Sequence, residues 1–221
     1  GVGLILSNGV KEIEEDEEKL IIKLNNGEVE TDMVIMAAGV RPETGIAKAA
    51  GIDVNAMGSI IVNEHMETSA EDIYAVGDAV EVTHFVTGAK AFIPLAGPAN
   101  KQGRIAADNI CGIKSKYKGT QGSSILKIFD MTVAVTGINE RTARALGLNY
   151  DKVYNYTPSH ASYYPGWTNM SIKAIFEKDT GKILGAQIVG FDGVDKRCDI
   201  LATAIRAGMT GFDLTELELC Y

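Results

Sequence analysis

The chain has 221 residues, of which 46% are hydrophobic and 23% are charged, and its formal net charge is −8. This length and composition allow one large globular domain or two smaller ones with separate cores. The negative charge argues against a protein that binds nucleic acid or an anionic membrane non-specifically. The sequence contains no apolar run of the roughly 20 residues that a membrane-spanning helix needs, and its amino terminus lacks the pattern of a signal peptide.

The cysteines indicate a reducing compartment. Cys111, Cys198 and Cys220 are an odd number, and their spacing matches neither a CxxC motif nor a metal site. Reduced thiols fit a cytoplasmic protein best. We expect each of the three to pack as a small buried hydrophobe.

The first part of the chain reads as β-structure. An alternating run over 19–24 is followed by Asn25-Asn26-Gly27, and Asn-Gly between strand-like runs predicts a β-hairpin. The acidic cluster over 12–18 is interpreted as a solvated strand edge and turn, because runs of like charge usually face water. Apolar runs predict two further strands, over residues 2–6 and 32–39.

The stretch over 68–81 carries the most information. Residues 73–76 are a short apolar run that predicts a strand, and the run ends in Gly77-Asp78. A glycine lets the backbone turn and approach a ligand closely. Asp78, at the carboxyl end of the predicted strand, can accept hydrogen bonds from the hydroxyl groups of a sugar or sugar alcohol. A helix is predicted over 98–110, and its start offers unpaired N–H groups to an electron-rich ligand.

The pattern changes after a Gly-, Lys- and Ser-rich stretch over 112–122, where a domain boundary is predicted. Asn139 is the predicted N-cap of a short helix over 140–146. A longer helix over 194–207 places Val194, Cys198, Leu201 and Ile205 on one face. Antiparallel strands with helices on one face predict an α+β sandwich. The remaining predicted elements are a helix over 46–50 and strands over 60–62, 125–129, 131–136, 152–157, 171–177 and 183–189.

These motifs resemble the FAD-dependent pyridine nucleotide-disulfide oxidoreductases. The family pattern T-S-x-x-D-I-Y-A-x-G-D runs from Thr68 to Asp78, and its helix A-x-x-Q-G-R-x-A-A follows over 99–107. A strand pattern that returns the chain to the FAD domain is similar to residues 34–42. The motifs T-G-x-x-E, over 136–140, and G-x-x-x-G-A-Q-x-V-G, over 181–190, resemble the dimerisation domain of the same family. The resemblance covers essentially the whole chain.

The resemblance implies a combined α/β and α+β fold, in which a partial FAD/NAD(P)-binding α/β region precedes an α+β dimerisation domain with an antiparallel sheet. We expect the end of the NAD(P)-binding domain in 1–42, the second segment of the FAD-binding domain in 43–118 and the dimerisation domain in 119–221. The family's two G-x-G-x-x-G fingerprints and its redox cysteine are not found in this sequence. We therefore expect it to be the C-terminal portion of a longer protein.

The resemblance also assigns cofactor-binding residues. Gly77 and Asp78 are expected at the ribityl chain of FAD, with Asp78 accepting hydrogen bonds from its hydroxyl groups. Ala96 and Gly97 are expected to offer backbone N–H groups to the flavin pyrimidine edge, where a helix start stabilises negative charge. The plainer alternatives are that Asp78 caps a turn and that the loop before the helix is ordinary.

The adjacent tyrosines Tyr163 and Tyr164, followed by Pro165-Gly166, resemble one branch of the family, which contains CoA-disulfide reductases, persulfide reductases and NADH oxidases. In its CoA-dependent members, tyrosines of the dimerisation domain reach the partner subunit's redox cysteine. Tyr163 and Tyr221 match those tyrosines and are the candidate catalytic residues, because a phenol can donate a hydrogen bond to a thiolate or act as a general acid. A plain packing role is the equal alternative.

Other polar residues are assigned smaller roles. A general-base role is the alternative for His160, but it lacks the His-Pro context that the family's basic histidine has, and a structural role is favoured. His65 and His84 lack a metal-ligand spacing and are interpreted as structural. Lys196 and Arg197 either bind CoA phosphates or form a solvated helix face. No metal site is predicted.

The function implied by the resemblance is that of a homodimeric flavoprotein that moves electrons from NAD(P)H through FAD to a cysteine-linked acceptor. The expected acceptor is CoA disulfide, a persulfide or a polysulfide, and the alternative is oxygen or peroxide, as in an NADH oxidase. For the chain by itself, a non-catalytic dimerisation module is the competing hypothesis. No nucleic-acid or membrane partner is expected.

Overall fold

The computed structural model describes residues 2–220, which divide into two compact units, one ending at Val40 and the other beginning at Arg41. The first unit is a three-stranded antiparallel sheet with the strand order β1-β2-β3. Its strands are β1 (Val10–Asp16), β2 (Lys19–Leu24) and β3 (Glu28–Thr31).

The predicted hairpin is confirmed. Leu24 N donates to Gly27 O at 2.9 Å, and Lys23 pairs with Glu28 across the turn. The acidic cluster is also confirmed as a solvated strand edge and turn, because β1 is exposed along its whole length. Lys23 on β2 forms ion pairs with Glu12 and Glu14, and its hydrogen bond to Glu14 raises the pKa of the lysine.

The strands predicted over 2–6 and 32–39 are wrong. Neither segment forms a strand, and no described residue pairs with either of them along a ladder. A strand exists only where a neighbour accepts and donates its backbone hydrogen bonds, so an apolar run alone does not make one. Their apolar side chains, among them Leu4, Leu6, Met33, Ile35 and Met36, are exposed.

The second unit begins with helix α1 (Gly45–Ala49), the two-residue strands β4 (Val82–Thr83) and β5 (Lys90–Ala91), and helix α2 (Ala96–Ile110). The strands predicted over 60–62 and 73–76 are wrong, because Ile60 and Tyr74 make only isolated bridges. Ile60, Val62, Tyr74 and Ala75 instead pack as loops on a core, whereas Ile61, Ile73 and Val76 are exposed. The buried residues of that core are Val62, Met66, Val80, Val82 and Ala106.

The rest of the second unit is a five-stranded antiparallel sheet with two helices, as the α+β prediction requires. Its strand order is β6-β7-β10-β9-β8. The helices are α3 (Glu140–Ala145) and α4 (Val194–Ala207), and Asn139 caps α3 by accepting from Thr142 N at 2.9 Å. The strands are β6 (Ser124–Ile128), β7 (Met131–Gly137), β8 (Tyr150–Pro158), β9 (Asn169–Glu177) and β10 (Ile183–Gly190).

Helix α4 packs against β7 and β10 with the face that the sequence predicts. Its apolar residues meet the inner face of the sheet, which drives this packing. Gly208 ends the helix in the left-handed region, at φ +73°. The core contains Ala134, Met170, Ala186 and Ile188 of the sheet and Val194, Cys198 and Leu201 of the helix.

The expectation of three buried cysteines holds for one of them. Cys198 is buried in the core under α4, whereas Cys111 and Cys220 are exposed. Cys111 directly follows the last residue of α2, where the chain has already left the core. All three thiols are unpaired. Across residues 2–220, none of the helices has the length and apolar character needed to cross a membrane.

Candidate functional site

The Gly77-Asp78 pair lies in a three-residue 3-10 helix, Gly77–Ala79, rather than at the end of a strand. Val76 before it is extended, and Gly77 has a φ of +83°. A Cβ at Gly77 would lie 3.9 Å from Ala99 Cβ, which is an ordinary contact. Glycine is therefore needed here because the backbone is left-handed, and not because space is short.

Two groups of hydrogen bonds fix this turn in place. Gly77 N donates to Oε1 of Gln102 at 2.7 Å, and Gln102 is fully buried in α2. On the other side, Ile60 N donates to Ala79 O at 2.8 Å, and Glu81 N donates to Ile60 O at 2.9 Å. A buried amide that bonds the glycine N–H holds the turn against α2, because breaking that bond would leave a polar group unsatisfied. This role of Gln102 was not predicted from the sequence, although the residue belongs to the helix motif.

The Asp78 side chain projects from this turn into solvent. It has no hydrogen-bond or ion-pair partner within residues 2–220, and it does not cap the 3-10 helix. The Asp78 side chain therefore does not cap the turn, in contrast to the plainer alternative. An exposed carboxylate on a fixed backbone is an acceptor available to a ligand.

Helix α2 begins beside the same turn, two residues earlier than predicted, and packs against the 3-10 helix. The residue before it, Leu95, is extended and has no side chain that could cap the helix. The N–H groups of Ala96 and Gly97 have no backbone acceptor among the described residues. Pro98 has no N–H to satisfy, which suits the first turn of a helix.

The site therefore brings a free carboxylate and two free backbone N–H groups to one place. The positive end of the α2 dipole adds to the attraction of those N–H groups for an electron-rich ligand. The carboxylate at the same place needs a donor such as a hydroxyl group. These groups fit a ligand that carries both a chain of hydroxyls and an electron-rich edge.

Tyr163 lies elsewhere, on the loop between β8 and β9. The base of this loop is closed by Ser159 N, which donates to Thr168 O at 2.9 Å, and by Thr168 N, which donates to Ser159 Oγ at 3.2 Å. Tyr163 is 78% exposed. Tyr221, the other candidate catalytic residue, lies outside the described residues. The roles of both tyrosines remain predictions.

The histidines have structural partners. His160 makes an edge contact with Tyr164 at a centroid distance of 5.9 Å, and His65 Nδ1 lies 2.8 Å from Ser115 O. Val86 N donates to Nδ1 of His84 at 3.2 Å, and burial lowers the pKa of this imidazole. Within residues 2–220, no three His, Cys, Asp or Glu side chains gather as a metal site would require.

A second polar cluster, around Glu140, was not anticipated as a cluster. The Glu140 carboxylate accepts from Lys152 Nζ at 2.5 Å and from Tyr150 OH at 3.0 Å, and it also pairs with Arg144 and Lys173. These hydrogen bonds, led by those from the two lysines, hold the pKa of the carboxyl far below its usual range. The T-G-x-x-E motif indicated that Glu140 matters. Its partners on β8 and β9 could not be read from the sequence, because they come together only when the sheet forms.

Two models of one family match the chain. The model for pyridine nucleotide-disulphide oxidoreductases matches residues 1–103, and the model for the dimerisation domain of the same family matches residues 123–218. Together they account for both the Gly77-Asp78 motif and the five-stranded sheet.

Curated relatives and solved structures agree with this assignment. A Pyrococcus furiosus NAD(P)H sulfur oxidoreductase (CoA-dependent) is 36% identical over 92% of this chain and 46% of its own length. A Methanocaldococcus jannaschii NADH oxidase is 37% identical over 100% of this chain and 49% of its own. The chain thus spans about half the length of these relatives.

Among solved structures, reduced CoADR-RHD from Bacillus anthracis superposes with a TM-score of 0.91 and 51% identity, covering 97% of this chain and 38% of the other. An NAD-dependent persulfide reductase from A. fulgidus has a TM-score of 0.91 and 41% identity, covering 97% and 40%. This chain therefore belongs to the pyridine nucleotide-disulphide oxidoreductase family.

Proposed function

We propose that this chain supplies part of the FAD site and the dimerisation domain of a cytoplasmic, homodimeric flavoprotein. In this enzyme NAD(P)H reduces FAD, and electrons pass through a cysteine to a disulfide or persulfide acceptor. We assign residues 1–42 to the NAD(P)-binding domain, 43–118 to the FAD-binding domain and 119–221 to the dimerisation domain. Family membership supports this assignment.

The observation that carries the proposal is the free Asp78 carboxylate beside the uncapped start of α2. The ribityl chain of FAD has the hydroxyl donors that Asp78 lacks, and the flavin pyrimidine edge has acceptors for the N–H groups of Ala96 and Gly97. Gly77 has no side chain to obstruct the approach. The residues present therefore fit this cofactor.

When bound, FAD supplies the capacity to take up a hydride equivalent and pass on electrons. The chain's own residues position it. Asp78 holds the hydroxyl chain, Gln102 keeps the Gly77 turn fixed, and the start of α2 favours negative charge at the edge that it faces. This arrangement tunes and orients the cofactor and leaves the redox chemistry to it.

For the acceptor we propose a CoA-linked disulfide, persulfide or polysulfide. Relatives named as CoA-dependent sulfur oxidoreductase, CoA polysulfide/persulfide reductase and coenzyme A disulfide reductase support it. Tyr163 and Tyr221 would donate hydrogen bonds to a thiolate at the partner subunit's redox cysteine. Reduction of oxygen is the second candidate, favoured by the similarity to the Methanocaldococcus jannaschii NADH oxidase.

The test compares Asp78→Asn with Asp130→Asn in the full-length oxidoreductase. Asp130 is an exposed aspartate between β6 and β7, so its replacement removes the same charge away from the site. We expect D78N to weaken FAD binding by at least about tenfold, as the loss of a charged hydrogen bond does, and D130N to leave it unchanged. Flavin absorbance after dialysis measures the cofactor retained.

Unchanged FAD retention by D78N would contradict the assigned role of Asp78. Turnover of the full-length enzyme with CoA disulfide, compared with oxygen, separates the two candidate acceptors. We also expect the 221-residue chain by itself, supplied with FAD, to show no NAD(P)H oxidation, since it contains no G-x-G-x-x-G fingerprint. Measurable oxidation by the purified chain would overturn that expectation.

A further inference from the structure

A cationic cleft runs beside α2 in the second unit. It consists of two adjoining cavities of about 540 and 480 Å³, both of which are lined by Lys101, Tyr117 and Arg206. Asp108 and Asp199 are the acidic residues among those lining it. The cleft thus has an excess of positive charge, although the chain as a whole has a net charge of −8. The basic residues that line this α2 cleft are Lys101, Arg104, Lys116, Lys118 and Arg206.

Three of these cations are not neutralised by the protein. Lys101, Arg104 and Lys118 are exposed, and within residues 2–220 their side chains form no ion pair and no hydrogen bond. Lys101 and Arg104 are three residues apart on α2 and so project from the same side of the helix. Like charges held close together repel each other, and a bound anion would relieve that repulsion.

The linker between α2 and β6, residues 111–123, contributes Lys116, Tyr117 and Lys118 to the cleft and is held in place. Asn109 Nδ2 donates to Ser115 O at 2.9 Å, and Ser115 N donates to Asn109 Oδ1 at 3.1 Å. Two residues on, Tyr117 N donates to Glu64 O at 2.7 Å. The backbone that carries Lys116 and Lys118 is therefore fixed before any ligand arrives, which lowers the entropic cost of binding.

Arg206 of α4 also lines the cleft and is fixed against the same segment. Its guanidinium donates to Lys118 O at 3.2 Å and to Gly119 O at 3.1 Å. It also lies over the Phe85 ring, 4.1 Å from the centroid. These contacts join α4 to the linker and place a further positive charge at the cleft.

Gly97, a proposed flavin contact, lines the first cavity together with Lys101, whereas the second cavity, which contains Lys101, Arg104 and Lys118, includes neither Gly97 nor Asp78. Arg104 follows Gly97 by seven residues, which corresponds to about 10 Å along α2. A ligand in the second cavity would not need the Asp78 carboxylate or the α2 N–H groups. Binding there can therefore be tested whether or not the flavin proposal holds.

We infer that the α2 cleft binds the phosphate groups of a small anionic molecule, such as a diphosphate or a nucleoside diphosphate. Lys and Arg are the side chains that bind phosphate oxygens through charged hydrogen bonds. The volumes match those of sites for small molecules rather than those of macromolecular surfaces. Lys101, Arg104 and Lys118 supply the binding charge, and Arg206 shapes the wall.

Isothermal titration calorimetry of the purified chain tests this inference, with inorganic pyrophosphate, ADP and adenosine as separate probes. The variant is Lys101→Ala/Arg104→Ala, and the matched control is Lys127→Ala/Lys178→Ala, which removes two exposed lysines from the dimerisation domain. We expect pyrophosphate and ADP to bind, adenosine not to bind, and K101A/R104A to weaken binding at least about tenfold. K127A/K178A should bind as the unmodified chain does.

Equal affinities for pyrophosphate and ADP would support recognition of phosphate alone, and tighter ADP binding would support recognition of a nucleotide through its phosphates. The inference is overturned if neither phosphate compound binds, if adenosine binds as well as ADP, or if K101A/R104A binds as the unmodified chain does. Circular dichroism checks folding. Should the double variant fail to fold, Lys118→Ala in the linker provides the same comparison.

Discussion

Among the single residues, Cys198 differs from the other two cysteines because its thiol is buried. Burial, together with the neighbouring charge of Asp199, raises the pKa of Cys198 to about 11, and its Sγ lies 3.7 Å from Val135 O. A thiol in that state is protonated near neutral pH and cannot act as a nucleophile. Cys111 and Cys220 are exposed.

We expect iodoacetamide at about pH 8 to alkylate Cys111 and Cys220 in the folded chain and to spare Cys198 until the chain is unfolded. Peptide mass spectrometry of samples alkylated with and without denaturant measures this. Alkylation of Cys198 in the native chain as fast as that of Cys111 would show that the core under α4 opens readily.

Among the described carboxylates, Glu140 has the most cationic partners. Its carboxylate meets Lys152, Lys173 and Arg144, so these cations lose a shared partner if the charge is removed. A depressed pKa means that the ionised form stabilises the fold above the ordinary carboxyl pKa of about 4.3. That stabilisation is lost as the pH falls through the depressed value.

Glu140→Gln should therefore lower the melting temperature at neutral pH, and the difference from the unmodified chain should shrink progressively below about pH 4. Calorimetric melting at a series of pH values is the measurement. Glu71→Gln, at an exposed glutamate without a partner among residues 2–220, is the control and should change little. A difference that stays constant down to strongly acidic pH would contradict the role of the Glu140 charge.

At the scale of elements, the dimerisation motifs have a packing reason. Gly137 at the end of β7 pairs with Gly185 of β10, and Ile138 N donates to Leu184 O at 3.0 Å just beyond that pair. A Cβ on Gly185 would overlap the Ile138 backbone. Position 185 therefore requires glycine, because the two backbones approach too closely for any side chain.

We expect Gly185→Ala to destabilise the chain by about 3 kcal/mol, because the overlap falls on backbone atoms that cannot move aside. Gly103→Ala in α2 is the control: no atom lies within 4 Å of its Cβ position, and alanine should stabilise the helix by up to about 1 kcal/mol. Urea denaturation measures both. Similar effects of the two substitutions would show that β7 and β10 can separate at this point.

Helices, turns and caps of this chain can be predicted from the sequence because their signals are local. Helix α4 is predicted to the residue, because its apolar period of 3.6 and the closing Gly208 are local signals. The hairpin at Gly27 and the cap at Asn139 are local in the same sense. The strand predicted over 73–76 is wrong because a strand requires a hydrogen-bonding partner strand, which cannot be identified from the local sequence.

In the candidate site, too, some features can be predicted from the sequence and others cannot. The motif identified Gly77 and Asp78, and it placed the start of α2 within two residues. The buried hydrogen bond from Gly77 N to Gln102 could not be predicted, because it joins residues 25 apart. The α2 cleft was also missed, since its cations come from α2, the linker and α4.

At the scale of the whole molecule, the sheet presents aromatic side chains on the face turned away from α4. Ile172 of β9 packs into the α4 core and pairs with Asn155 of β8, so Tyr154 and Tyr156 on either side of Asn155 point to the opposite face. Tyr156 is 76% exposed. Exposed aromatic residues on a dimerisation domain are typical of an interface.

We therefore expect the chain to sediment as a dimer and Tyr156→Glu to raise the dimer dissociation constant by at least about tenfold, because a buried charge without a partner opposes association. Since Tyr156 makes little contact within the chain, the substitution should leave the melting temperature of the monomer nearly unchanged. Ile46→Glu places the same charge at a residue of α1 that is 89% exposed and lies outside the dimerisation domain, so it should not affect sedimentation. A monomeric unmodified chain would contradict the proposed homodimer, whereas equal dissociation constants for the unmodified chain and Y156E would move the interface to another face of the sheet.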